Sequence, residues 1–528
     1  MGIGFVSTKY GKVQGVELEG KYAGLTLFKG IPYAAPPVGE LRWRPPVSPE
    51  PWDDVRICDT YAKMAPQIFP PAEEFVPYGL DFYYEGYPDV SEDCLYLNIC
   101  TGAQSPEEKR PVYMWYHGGG LSTGFTYEVE FNPEELTRKG IVVVMVAQRL
   151  NVFGYLSLPQ LSEEQGCISG NYGLMDQMKA LEWVRENIAA FGGDPDNITI
   201  GGQSGGTTKT CVMAALPSMQ GKFRRIINES GLKWKLVLKS PEEVTRISQN
   251  YLKKLGIDPN ISLDELRKID AMALVDGSGD MPAEILWDGN LVPKASVSEM
   301  FEENLGKVDV LCGSNYGEGY PLADSQTQIT NPQEFYENYR EFLDDLYDKY
   351  DFEALYPVTE ETCWSTAMRL AGIGVTKNDR RGMGRNVMLS RVFGKKRAKL
   401  QPGSRVYAYF FSHVLPGRPE DEGTPRATEK LLAYHSSELW YTFASLREGI
   451  PPVRPWREED YQVADMVSSY WVNFMTTGDV NGEGLPYWPA ASDNYGWMEL
   501  LPEPIAREGL KTEEDKLLRE FVERTFGE

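Results

Sequence analysis

At 528 residues, with 42% hydrophobic and 25% charged residues, the chain has the make-up of a globular protein with ample core, and its length suits one large α/β enzyme carrying insertions. A net charge of −24 and a pI near 4.8 disfavour nucleic acid or an anionic membrane as partner, since both call for basic patches. No apolar run approaches the ~18 to 20 residues needed to span a bilayer.

The first nine residues lack a basic start, a long apolar stretch and a small-residue cleavage site, and Val6 stands where a myristoylation signal wants Ser or Thr. The expectation is a cytoplasmic protein. From Gly11 to Trp52, Val13, Val16 and Leu18 alternate, and Phe28 to Ala34 runs into Pro36-Pro37 and Pro45-Pro46, which predicts edge strands and an anchored arm. Leu95 to Cys100 and Val112 to Tyr116 predict two further strands. Ile141 to Val146 is apolar without alternation, the pattern of a strand covered on both faces by helices.

Between Asn171 and Phe191, Leu174, Met178, Leu181, Val184 and Ile188 recur at three- and four-residue steps and give one apolar helical face. Strand, helix and strand in that order predict a crossover unit of a mostly parallel sheet. Val308 to Cys312 and Val406 to Phe411 supply later central strands. Between them, at about 321–399, the chain is charged, aromatic and helical, with Phe335-Tyr336, Tyr339, Phe342, Leu346 and Tyr350 at helical spacing. That stretch reads either as helix packing alone or as a cap-like insertion over the mouth of a site. The basic cluster Lys395-Lys396-Arg397 with Lys399 predicts a solvated helix face. The seven cysteines form no C-x-x-C pair, so neither a zinc site nor a disulfide framework is expected, and most should be buried thiols. With no internal repeat or linker, residues 1–528 read as a single domain.

The stretch Asn197 to Gly206 carries the chemistry. A β-branched run ends at Gly201-Gly202-Gln203-Ser204-Gly205-Gly206, and Thr207 to Leu216 can run as a helix until Pro217 stops it. Glycines at Gly202 and Gly206 allow strand and helix to approach closely enough to hold Ser204 up as a nucleophile. Gly120-Leu121-Ser122-Thr123-Gly124 fits the same G-x-S-x-G pattern but leads into Phe125 and Asn132-Pro133 rather than a helix, so context selects Ser204.

A serine hydroxyl needs a base to take its proton, and the base needs a third group to hold its tautomer. In the order serine, acid, histidine, His435 follows the last strand as the base should, whereas His117 precedes the serine and reads as a brace for the run Gly118-Gly119-Gly120, and His413 reads as structural. Attack on an ester carbonyl creates an oxyanion, and the N–H groups of Gly119, Gly120 and Gly205 are the predicted donors. Glu318 lies just past the strand Val308 to Cys312, where catalytic groups collect in open α/β sheets; on spacing alone it reads equally as the triad acid or as a carboxylate in a solvated turn.

The chain resembles the type-B carboxylesterase and cholinesterase family of α/β-hydrolases, close to bacterial para-nitrobenzyl-esterase-like members, over nearly its whole length. The resemblance shows in Phe28 to Ala34 with Leu41-Arg42-Trp43, in Ser91 to Asn98, in the His117 glycine run, in Phe191 to Pro195, in the elbow, in Gly313 to Gly319, in His435 to Leu439, and in Trp471 to Phe474 with Gly478-Asp479. It implies an α/β-hydrolase fold with N-terminal edge strands, the triad Ser204, Glu318 and His435, and the oxyanion donors Gly119, Gly120 and Gly205. It further implies a supporting role for Ser230 and a pocket lined by Trp234 and Leu121, with no metal or organic cofactor. Three departures stand out. Gln203 replaces the family's Glu before the nucleophile, which argues against choline esters. The family's partner for Cys94 lies in a C-P-Q stretch that here reads Met64-Ala65-Pro66-Gln67. Lys209, one turn into the elbow helix, stands where the family is small and apolar, and the sequence offers no role for it.

The expectation is therefore a serine carboxylesterase, a monomer or homodimer acting on small-molecule esters. Aryl or alkyl esters come first and hydroxycinnamoyl esters second. An amidase or lactonase on the same triad, or a non-catalytic binding protein of the same fold, are the competing readings.

Overall fold

The computed structural model describes residues 2–304, 308–318, 329–375 and 386–527. Gly319 and the parts of the expected insertion at 321–328 and 376–385 lie outside the described residues. The chain divides into two compact units, the first made of Met1–Pro71, Glu85–Arg225 and Val237–Gly306, the second of Ala72–Tyr84, Ile226–Leu236 and Lys307–Glu528.

In the first unit a small three-stranded sheet joins β1 (Phe5–Ser7), β2 (Lys12–Gln14) and β5 (Arg56–Ile57). The larger sheet is built from β3 (Val16–Glu17), β4 (Thr26–Pro32), β6 (Tyr96–Thr101), β7 (Arg110–Tyr116), β8 (Val142–Val146) and β9 (Gly193–Gln203), in the order β3–β4–β6–β8–β7–β9. β7 runs parallel to both β8 and β9, while β4 and β6 run antiparallel to their neighbours, so the arm predicted from Gly11 to Trp52 supplies the antiparallel margin. All five residues of β8 are buried, as its unbroken apolar pattern requires.

β9 begins at Gly193, earlier than its β-branched run suggests, because Gly193 pairs with Arg110 across an irregularity that the Asp194-Pro195-Asp196 turn disguises. The predicted amphipathic helix is Tyr172–Asn187, continued as a 3₁₀ turn to Phe191. It also carries three buried polar residues, Asp176, Gln177 and Asn187. Asp176 receives Arg149 through Nε at 2.8 Å and Nη2 at 2.7 Å, and accepts the Arg149 N–H at 3.0 Å. A separate apolar cluster gathers Trp43, Phe153, Leu156, Tyr172, Tyr251 and Leu266, with Trp43 stacked on Phe153 and its Nε1 donating to the Val152 carbonyl at 2.9 Å.

In the second unit β10 (Arg225–Glu229), β11 (Asp309–Asn315), β12 (Val406–Phe411), β13 (Trp497–Leu500) and β14 (Ile505–Arg507) follow one another in order. β11, β12 and β13 are parallel and β14 closes antiparallel. Helices Pro332–Leu343, Cys363–Ile373 and Val387–Leu400 occupy the described part of the stretch expected to be an insertion. Phe335, Tyr339, Phe342 and Leu346 are buried, so the packing role of its aromatic spacing is met. The basic cluster departs from expectation: Arg397 is buried within its helix, and only its neighbours lie toward solvent. Four closely spaced cations do not show in the sequence which of them the helix turns inward.

All seven cysteines are free thiols, with Cys167 exposed and the rest buried. Among the described residues no helix is long and apolar enough to cross a membrane. Breaking the Arg149–Asp176 pair from one side strands a carboxylate in the core. Arg149→Met should therefore cost about 3–5 kcal/mol, measured from the urea unfolding midpoint, and the double variant with Asp176→Leu should recover most of the loss.

Candidate active site

In the first unit the site grows from the junction of β9 with the helix Gly205–Ala215. Ser204 sits at φ 54° and ψ −113°, a backbone state that a non-glycine residue holds only when its surroundings enforce it. The enforcement is steric. A Cβ on Gly206 would collide with the Tyr116 carbonyl, one on Gly202 would fall 2.6 Å from the Gly206 backbone, and one on Gly205 would collide with the Gly120 carbonyl. Ser204 itself is half-buried, and its carbonyl accepts the Thr207 N–H at 3.0 Å and the Thr207 hydroxyl at 2.6 Å. Ser122, the other serine in the motif pattern, lies in a turn that leads into irregular chain rather than directly into a helix.

The glycine run reaches the same point from the end of β7. Gly119 and Gly120 take φ 78° and 65° and are exposed, whereas Leu121 is buried. Their turn is closed by Ser122 and Thr123 N–H groups donating to the Gly119 carbonyl at 3.2 and 3.0 Å. Gln203 is buried, with its Oε1 against Gly118. His117 fills the expected bracing role: its buried ring lies with Nδ1 3.0 Å from the Gly118 carbonyl oxygen and Nε2 2.7 Å from the Gln148 side chain. Burial, and then the Lys209 ammonium, hold this imidazole well below the usual histidine range, so it is neutral.

Two braces of this run were invisible in the sequence. Gln67 clasps the Gly124 peptide from both sides, accepting its N–H at 2.7 Å and donating to its carbonyl at 3.0 Å. Asn151 donates to the Ser122 carbonyl at 3.1 Å and to the Pro66 carbonyl at 2.8 Å. Gln67 stands in the stretch where the resemblance implies a cysteine, so hydrogen bonds fasten a segment that a disulfide would otherwise hold.

In the second unit Glu318 and His435 come together. His435 Nδ1 lies 2.7 Å from Glu318 Oε1, both side chains are buried, and Glu318 Oε2 accepts the Asn315 N–H at 3.0 Å. The loops that carry them are paired: the Gly317 N–H donates to the Ala433 carbonyl at 2.7 Å, next to a bridge between Gly317 and Tyr434. This geometry removes the solvated-turn reading of Glu318. It also fixes the proton on Nδ1, which leaves Nε2 as the basic nitrogen.

Ser230 is buried at φ 65° and donates to Glu438 Oε1 at 3.2 Å. Glu438 Oε2 also accepts from Asn315 Nδ2, which in turn donates to the Tyr434 carbonyl at 2.9 Å. Burial, reinforced by the Glu229 and Glu318 carboxylates, pushes the Glu438 carboxyl well above the usual range and favours its protonated form. Burial likewise pushes Glu229 up to about 8, against hydrogen bonds from Trp471 Nε1 at 2.9 Å and the Thr442 hydroxyl at 3.2 Å. The only sequence signal for Glu438 is its place three residues after the histidine.

The residue before His435 is anchored separately. The Tyr434 hydroxyl donates to Asp81 Oδ2 at 2.6 Å, and Asp81 also receives Arg454 at 2.7 Å and Arg426 at 3.0 Å. Burial opposes the Asp81 charge, but the two guanidiniums outweigh it and keep the carboxyl below the usual range. His413, as expected, is structural, with Nε2 2.7 Å from Asp460. Trp234 is buried edge-on to Phe393, with the Lys235 and Lys396 ammoniums 4.4 and 5.1 Å from its ring centre.

Comparison with known proteins agrees with this assembly of parts. The model of the carboxylesterase family matches residues 4–518. The chain is 29% identical to para-nitrobenzyl esterase of Bacillus subtilis, covering 92% of each protein, and 30% identical to liver carboxylesterase of Sus scrofa, covering 96% of this chain and 91% of that protein. A crystal structure of the Geobacillus stearothermophilus carboxylesterase superposes with a TM-score of 0.76 at 28% identity, covering 98% of this chain and all of that one. A serine held at a strained strand-to-helix turn and a buried carboxylate–imidazole pair thus sit in a chain that belongs to the carboxylesterase family, a carboxylic ester hydrolase of the α/β-hydrolase fold.

Proposed function

We propose that Ser204, Glu318 and His435 form the catalytic triad and that the N–H groups of Gly119, Gly120 and Gly205 receive the oxyanion. The observation that carries the reading is the buried 2.7 Å bond between His435 and Glu318, which orients a base and supports an imidazolium without exposing it to water. His435 Nε2 takes the Ser204 proton as the hydroxyl attacks the ester carbonyl, and returns it to the departing alcohol. Water activated by the same nitrogen then cleaves the acyl-enzyme. Preorganised backbone donors are worth roughly 2.7–4 kcal/mol each in such a transition state. Ser230 and Glu438 support Glu318 from behind, and Trp234 and Leu121 contribute to the pocket.

Small aryl or alkyl esters are the substrate class, supported by the para-nitrobenzyl and liver esterase relatives. Gln203, uncharged before the nucleophile, turns the preference away from cationic alcohols. The free cysteines support a reducing, cytoplasmic setting. Residues 1–528 act as one hydrolase domain, with the stretch at about 321–399 as a cap-like insertion.

A fluorophosphonate probe should label Ser204, located by mass spectrometry, and the labelling should collapse in His435→Ala; adduct at another serine would displace the assignment. Ser204→Ala should abolish turnover, by at least about 10⁴-fold, in a protein that still folds. Ester hydrolysis should fall along a one-proton limb as the pH drops and the base becomes charged, whereas a profile flat to about pH 4 would be incompatible with histidine as the base. Gln203→Glu should raise kcat/KM for a choline ester relative to a neutral ester of equal size, and an unchanged ratio would remove Gln203 from the account of specificity.

A further inference from the structure

Five residues beyond Ser204, the elbow helix carries Lys209 wholly inside the protein. An ammonium so placed has lost its hydration, and an apolar side chain would fill the same space without that cost. What Lys209 supplies instead is a donor. Its Nζ donates to the His117 carbonyl at 2.9 Å. The Gln148 amide, turned so that its nitrogen donates to the Val146 carbonyl at 3.1 Å, accepts a second bond from Nζ at 3.0 Å. The ionisable groups that act on it are the neutral His117 ring and Glu128; burial pushes Lys209 down to about 7, and the Glu128 carboxylate opposes that shift.

The carbonyl that Lys209 holds belongs to the residue heading the glycine run. Gln67 fixes the far end of that run at Gly124, and Asn151 fixes its middle at Ser122. Gln67 starts from another loop and Asn151 from the first residue of the helix Asn151–Tyr155. The Lys209 bond instead ties the run to the helix that begins with Gly205, and Gly205 packs its Cα against the Gly120 backbone with no room for a side chain. A peptide carbonyl held by a buried donor is fixed in orientation, and this bond sits at the end of the run opposite the Gln67 and Asn151 braces.

We propose that Lys209 is a positioning residue for the oxyanion site, fixing the glycine run against the elbow helix so that the N–H groups of Gly119 and Gly205 converge on one point. This rests on the esterase reading and deepens it. Donors preformed around the developing charge accelerate the chemical step without tightening ground-state binding, so loss of the tie should appear in kcat and spare KM.

The test is Lys209→Met, of similar length and without donors, beside Lys209→Gln, which keeps one short donor. Each is assayed for kcat and KM on a p-nitrophenyl ester and for the rate of fluorophosphonate labelling, in which the phosphonyl oxygen occupies the same donors, with folding followed by circular dichroism. Lys209→Met should lose about 10- to 100-fold in kcat and in labelling rate, with KM within about two-fold, and Lys209→Gln should fall between it and the wild type. If Lys209→Met fails to fold, the same comparison is read from Lys209→Gln. Folded variants with wild-type kcat and labelling, or with a change confined to KM, overturn the positioning role alone. A wild type that neither turns over the ester nor takes the probe overturns the esterase reading, and this inference with it.

Discussion

The contacts on which the rest of this structure depends are between backbones with no side chain between them. At Gly202, Gly205 and Gly206 a single added carbon would meet the Gly206 backbone, the Gly120 carbonyl or the Tyr116 carbonyl. Because the chains touch there, the turn between β9 and its helix is too tight for relaxed geometry, and Ser204 bears the strain at φ 54°. Such strain persists only where the surrounding core over-determines it. The fully buried β8 and the Tyr172–Asn187 helix supply that core in the first unit, together with the Arg149–Asp176 pair.

The second unit faces a different physical problem, which is how to keep several carboxyl groups in one dry region. Glu318, Glu438 and Glu229 are all buried, and three full negative charges would repel one another strongly in a medium of low polarizability. The arrangement separates their roles. Glu318 receives the His435 ring and the Asn315 N–H, partners that favour an anion. Glu438 and Glu229 are pushed toward their neutral acids, so they can hold Ser230, Asn315, Thr442 and Trp471 without competing for charge. Charge is thereby confined to the carboxylate that orients the imidazole.

What the sequence made legible follows from how local each signal is. The elbow could be read because strand, glycines and helix occupy one stretch, and β12 was predicted residue for residue because its six side chains are all buried and apolar. On spacing alone Glu318 could be placed past a strand end but not paired with His435, which only the resemblance implied, because that pairing depends on a bridge between Gly317 and Tyr434 that no spacing encodes. Gln67, Asn151 and Asp81 were missed for the same reason: each acts through a backbone group or a partner far away in the chain, 353 residues in the case of Asp81 and Tyr434. Arg397 shows the limit on charge patterns, since burial can be tolerated by one member of a cluster that looks uniformly solvated.

The Asp81 network carries an implication for how this protein can vary over time. One carboxylate gathers Tyr434, Arg426 and Arg454, and its helix Tyr78–Asp81 is remote in the gene from the segment that carries the other three. Losing Asp81 alone strands two guanidiniums, and losing one arginine alone leaves the carboxylate half-compensated, so each single change is penalised by the members that remain. Viable descendants are those in which the whole set is kept or replaced together. The segment that ends at His435 is therefore inherited as a linked block with Asp81, Arg426 and Arg454.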